Sequence, residues 1–193
     1  MSPSRRCSAN GARRMNVMTE AEELIEAPLS TEELAVRYAK LCEDPWMAKV
    51  QGKVEIDAWG RVMMTPPPAY HHGAVQARLI QILGGLAGGQ VAAESPIATS
   101  KGVFAADVTW ASDAFLRSHA SEVALQQAPE LCVEVVSPSN SSKELDEKRD
   151  AYLASGAKEV WIVYPKSKRC ELFDLHAKLE RSSFPVDLSG LFK

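Results

Sequence analysis

Apolar residues recur at helical spacing in three stretches of this chain and alternate with polar ones in several others. In the first helical stretch, Ser30-Thr31-Glu32-Glu33 has the S-x-x-E spacing of a capping box, and Leu34, Tyr38 and Leu41 follow on one stripe. Asp44-Pro45 should end that helix, because proline disfavours helix in the residue before it. A second helix is expected from about Tyr70, with Val75, Leu79, Ile82, Leu83 and Leu86 on one face and a glycine-weakened end. A second capping box, Ser141-Ser142-Lys143-Glu144, opens a third helix that should run to about Ser155, with Gly156 as its stop.

The alternating stretches read as strands. Residues 53–57 and 61–64 flank the turn Ala58-Trp59-Gly60 and form a hairpin, after which Pro66, Pro67 and Pro68 break the chain. Further strands are expected around 90–93, 103–110 and 131–136, then at 160–164 and 169–174 across the turn 165–168. Residues 112–129 are less patterned and should hold a short helix. This order predicts an α/β or α+β fold, a central mixed sheet flanked by helices with an N-terminal helix and β-hairpin.

Composition narrows the class. The chain has 193 residues, 46% hydrophobic and 24% charged, enough for one globular domain without disulfide or metal staples. The expected division is an extension over 1–28 and a domain over 29–193. Within the extension, Arg5, Arg6, Arg13 and Arg14 form either a basic arm or part of a disordered lead-in, the reading favoured here, with Met15 or Met18 as an alternative start. The formal net charge of −3 gives no support by itself for a nucleic-acid partner. Cys7, Cys42, Cys132 and Cys170 are far apart and form no C-x-x-C pair, which excludes the common zinc and redox motifs and suggests a reducing, cytoplasmic compartment. No apolar run is long enough to span a membrane.

Two carboxylates stand inside apolar strands: Asp107 in Phe104-Ala105-Ala106-Asp107-Val108-Thr109-Trp110, and Glu134 in Leu131-Cys132-Val133-Glu134-Val135-Val136. Strand alternation puts Glu134 on the face of Cys132 and Val136. A buried carboxylate must be paired, protonated or metal-bound, and two side by side raise each other's pKa. A divalent cation relieves both problems, and Mg²⁺ prefers a few carboxylates together with water and phosphate oxygens. Lys148 lies on the inward stripe of the third helix, three residues after Leu145 and four before Tyr152. It either snorkels to water or reaches back over the end of the Glu134 strand, where a lysine can orient a water or stabilise developing negative charge.

The run Asp107…Glu134-Val-Val-Ser137-Pro138-Ser139-Asn140…Lys148…Tyr152…Gly156…Glu159-Val160-Trp161-Ile162-Val163 resembles the Uma-two restriction endonuclease family, a branch of the PD-(D/E)XK nuclease superfamily. The likeness extends upstream through Ser30–Leu34, Gly60-Arg61-Val62, Pro66–Pro68 and His72-Gly73, covering roughly residues 30–175. The resemblance implies a restriction-endonuclease-like sheet and Mg²⁺-dependent phosphodiester hydrolysis, with Mn²⁺ able to substitute. It implies nucleic acid, with DNA expected, as substrate and a homodimer as a common assembly. It carries over Asp107 and Glu134 as metal ligands, the backbone carbonyl of Val135 as a further one, and Lys148 as the lysine in a migrated position, because Val136 stands in the usual E-x-K place. Ala106 replaces the motif's proline.

Weaker candidates come from the residues alone. His72 shares the stripe of Val75 and Leu79 and either faces the site or is a satisfied core histidine. Glu94 is an outer ligand or an ordinary edge residue, and Glu55 ranks below it. Ser137 and Ser139 read as turn and capping residues, since no histidine or acid follows at a spacing suited to a nucleophilic serine. Trp59, Trp110 and Trp161 either stack on bases or fill the core. Three functional readings remain: an active nuclease, a catalytically silent module binding nucleic acid or a protein, and a structural protein. The last predicts Asp107 or Glu134 paired with Lys148 and no cleft.

Overall fold

A computed structural model describes residues 27–193 of the chain. The basic arm and nearly all of the 1–28 extension lie outside the described residues. The elements are α1 (Thr31–Glu43), β1 (Lys53–Asp57), β2 (Val62–Thr65), α2 (Tyr70–Leu83), β3 (Gly89–Thr99), β4 (Gly102–Ser112), α3 (Asp113–His119), β5 (Leu131–Val135), α4 (Ser142–Ala154), β6 (Glu159–Tyr164), β7 (Arg169–Phe173) and β8 (Lys178–Leu179). Both predicted capping boxes form: the Ser30 and Ser141 hydroxyls accept from the N–H groups of Glu33 and Glu144, whose carboxylates accept from the cap residues in return. Gly156 ends α4 at φ +111°, a conformation that a side chain would strain.

The eight strands form one mixed sheet in the order β2-β1-β4-β5-β6-β7-β8, with β3 on the other side of β4. Among the strands of the described residues only the β5–β6 pair is parallel, with α4 as its crossover. On β5, Cys132 packs with Leu145, Tyr152 and Leu153 of α4, whereas Leu131, Val133 and Val135 pack with Leu79 and Leu83 of α2. Successive strand residues point to opposite faces, so α4 covers one face of the sheet and α2 the other. Helix α1 lies on the α2 side, its Leu34 and Tyr38 packed with Ile56, Ala98 and Val103.

Two features differ from the expected strand pattern. The strand expected at 90–93 runs from Gly89 to Thr99 and pairs with β4 on both sides of Glu94. Within this long hairpin the inside-outside alternation reverses. Phe104 and Ala106 face α4, yet Val108 and Trp110, of the same parity, face α2. The partner strand does the same, with Ile97 on the α4 side and Val91 on the α2 side. The reversal falls at Asp107 and at Glu94 opposite it, where pairing is interrupted and Glu94 takes φ +51°. A non-glycine residue held there costs about 1–3 kcal/mol and persists only where its surroundings enforce it.

The second feature is a gap. Since β3 occupies one edge of β4, β1 and β5 must share the other. β1 pairs with Gly102 and Val103, and β5 pairs with Val108 to Trp110. Residues 104–107 have no strand partner on that edge, and the site is built there.

Candidate functional site

Side chains replace the missing ladder at the gap. The Ala105 N–H donates to Glu55 Oε1 at 2.9 Å, and Lys53 Nζ donates to the Ala105 carbonyl at 2.8 Å. Glu55 and Lys53 are alternate residues of β1, so they share a face and straddle one residue of β4. The Asp107 carbonyl likewise accepts from Gln76 Nε2 of α2 at 2.7 Å, and the same amide donates to Glu94 Oε1 at 2.9 Å.

The Asp107 carboxylate is held from three directions. Lys53 Nζ contacts Oδ1 at 2.5 Å, the Val135 N–H donates to Oδ2 at 2.7 Å, and His72 Nε2 stands 3.6 Å from Oδ2. Burial pushes its pKa upward, but His72, the Lys53 charge and hydrogen bond, and the Val135 N–H outweigh that and hold it at about 2. Glu134 lies on the α4 side, where the Tyr152 hydroxyl donates to Oε1 at 2.8 Å and Lys148 Nζ stands 3.7 Å away. Burial raises Glu134 to about 7, helped by the Asp107 and Glu55 charges and opposed by Lys148 and Lys53. Lys148 sits closer to Glu55, with Nζ 2.6 Å from Oε1. Both lysines are held protonated, their burial outweighed by the neighbouring carboxylates.

Lys53, Asp107, Glu134 and Lys148 line one cavity of about 760 Å³, walled by Pro66–Pro68 on one side and the Ser137–Asn140 loop on the other, with Glu55 behind Lys148. All the predicted site residues meet there. Asp107, Glu134, Lys148 and His72 line it directly, and Glu94 stands at its more exposed rim, 3.1 Å from Lys53. Val135 touches Asp107 through its N–H. Ser137 and Ser139 form the turn expected of them, with the Ser137 N–H and hydroxyl donating to Asn140 Oδ1. None of Trp59, Trp110 and Trp161 lines the cavity. Trp161 is fully buried and donates to Glu159, and Trp110 packs edge-on against Phe184.

Sequence reading missed Lys53 and Gln76 and placed Glu55 too low. Lys53 and Glu55 are 54 and 93 residues from their partners Asp107 and Lys148. The available signal was a lysine and a glutamate two apart on a hairpin strand. The structural-protein reading is met only in part: lysines do approach both carboxylates, but a cleft is present.

Among the described residues no three His, Cys, Asp or Glu side chains converge as a ready-made metal cage, and Lys53 and Lys148 pair with the carboxylates. The donor set nevertheless fits a hard divalent cation: the acidic donors are all oxygen, and four carboxyl groups, Glu55, Glu94, Asp107 and Glu134, gather around two lysines.

Comparison with known proteins agrees with the geometry. No curated protein matches the chain. Its fold is similar to the crystal structure of "a putative nuclease belonging to DUF820 from Anabaena variabilis ATCC 29413", at 14% identity and a TM-score of 0.59, covering 69% of this chain and 80% of that one. The family model described as "Uma2: Putative restriction endonuclease" matches residues 37–190, across every strand and the whole cavity, and the chain belongs to that family.

Proposed function

We propose that this protein is a Mg²⁺-dependent nuclease that hydrolyses phosphodiester bonds, with DNA as the expected substrate, at the cavity beside the gap in β4. The observation that carries this reading is the cluster of buried carboxyl groups around Asp107 and Glu134, set with two lysines at an accessible cleft. Three buried carboxyl groups, Glu55, Asp107 and Glu134, are weakly explained by stability alone, since apolar residues of equal volume in place of buried ion pairs are often as stable or more so.

Asp107 and Glu134 would hold the metal, with the Val135 carbonyl and Glu94 as further oxygen donors. When bound, the ion supplies charge stabilisation at the scissile phosphate and a water of lowered pKa. The chain's own groups do the rest. Lys148 orients the attacking water or stabilises charge gathering on the phosphoryl oxygens. Lys53, which lines the cleft beside Asp107, would contact a phosphate oxygen of the substrate. His72 and the Val135 N–H fix the Asp107 carboxylate. A homodimer and a reducing compartment belong to the same proposal, as does the division of the chain near residue 28.

The test is a cleavage assay across single- and double-stranded DNA and RNA, with Mg²⁺ and with EDTA. Cleavage of at least one substrate that EDTA abolishes is expected; equal cleavage in EDTA contradicts the proposal. A second reading, a silent module on the same fold, draws on the two lysines that already neutralise much of the site. Calorimetric titration with Mn²⁺ separates the two, because absence of binding at millimolar metal favours the silent module.

A further inference from the structure

Glu55 is 5% exposed and reaches into the gap from β1, yet its geometry is not that of a ligand waiting for a cation. One oxygen, Oε1, accepts both the Ala105 N–H and Lys148 Nζ. The first bond fixes the carboxylate to β4 where the ladder is missing, and the second fixes the lysine to the carboxylate. Lys148 comes from the middle of α4, on a long flexible stem. Its distance to Glu55 is 2.6 Å and to Glu134 3.7 Å, so Glu55 sets where the ammonium stands. Phe104, whose ring centroid lies 5.6 Å from Nζ, bounds it on another side.

We infer that Glu55 is the positioning residue for Lys148: it ties the lysine to the backbone of β4 beside Asp107, so that the ammonium faces the cleft without sealing off Glu134. The inference rests on the nuclease reading for the lysine's purpose, but the tether itself is independent of it. It also gives the β1–β2 hairpin a role. By pairing at Gly102 and Val103 and then diverging, β1 brings Glu55 and Lys53 to the two polar groups of Ala105. One lysine–carboxylate pair of the site is thereby held on each side of the same residue.

The experiment uses Glu55→Gln in the full chain, with Glu55→Asp as the conservative partner. The glutamine oxygen still accepts the Ala105 N–H, so the strand junction is retained, and a melting curve checks the fold. Three readouts are taken: cleavage kinetics, Mn²⁺ affinity by calorimetry, and the rate at which an amine-reactive ester labels Lys148, followed by peptide mass spectrometry. For Glu55→Gln, kcat should fall about 10–100-fold with KM within about threefold, Mn²⁺ affinity should hold within about threefold, and Lys148 labelling should quicken about tenfold. Glu55→Asp should recover part of the kcat and slow the labelling again. Loss of Mn²⁺ binding would make Glu55 a ligand and overturn the inference, as would unchanged Lys148 labelling. If the unsubstituted chain cleaves nothing, the nuclease reading falls, while the labelling and Mn²⁺ readouts still decide the tether.

Discussion

Glu134 and Asp107 are both nearly inaccessible carboxylates, but their surroundings drive them in opposite directions. Asp107 gathers the Lys53 ammonium, His72 and an N–H, and its pKa falls to about 2. Glu134 is left with burial and two like charges, and its pKa rises to about 7 from an ordinary 4.5. Between those last two values the folded state keeps a proton that the unfolded state has released. Stability therefore falls as pH rises through this window and levels off above it, a loss on the order of 3 kcal/mol. Asp107 acts in the other sense: its contribution is present above its ordinary 3.8 and is lost as pH falls towards 2. In EDTA the melting temperature should drop by roughly 6–12 °C between pH 4.5 and 7.5. Glu134→Gln should flatten that slope, and millimolar Mg²⁺ should reduce it by holding Glu134 ionised. A slope unchanged by Glu134→Gln would show that other groups titrate there.

At the scale of elements, the helix ends were readable because their signals are local. Ser141 and Glu144 sit three residues apart and cap each other, so Ser141→Ala should cost about 1 kcal/mol in a denaturant titration. The expected hairpin is likewise local and forms with β1 unchanged and β2 one residue later. The reversal of faces at Glu94 and Asp107 was not readable, because period-two reasoning carries each strand's parity forward and nothing in the sequence marks where it breaks. The gap in β4 was hidden for a related reason: it depends on where two strands distant in sequence, β1 and β5, stop pairing. Gly102 controls one side of that gap. It has φ +139°, and a side chain there would meet the Ile56 carbonyl at 2.2 Å. Gly102→Ala should loosen β1 from β4, lowering stability by more than about 2 kcal/mol and speeding hydrogen exchange in β1. Unchanged exchange in β1 would mean that the junction does not depend on that close approach.

For the molecule as a whole, the family match to residue 190 includes a C-terminal stretch without regular structure. Phe184, Val186, Leu188, Leu191 and Phe192 pack on the α2 side of the core. Glu159 fastens this stretch, accepting from Trp161 Nε1, the Ser182 hydroxyl, and the Ser183 N–H and hydroxyl. Glu159→Ala should cost about 2–4 kcal/mol and speed exchange over residues 182–192, without altering Mn²⁺ affinity. Among the described residues no helix is long and apolar enough to cross a membrane. The carboxylate pair was legible as an anomaly of burial, and the family resemblance supplied its purpose. The lysines that share its charge emerged only when the strands were assembled.

Asp107 and Glu134 are proposed as a catalytic metal site. Alanine at Asp107 would strip the buried Lys53 of its nearest carboxylate and leave a void, so the isosteric variants Asp107→Asn and Glu134→Gln are the cleaner probes. The most direct measurement is Mg²⁺-dependent cleavage by these two variants, each shown by its melting curve to be folded. A loss of about 10³-fold or more is expected in each, with EDTA abolishing what the unsubstituted chain cleaves. Full Mg²⁺-dependent cleavage by either variant would contradict that proposal.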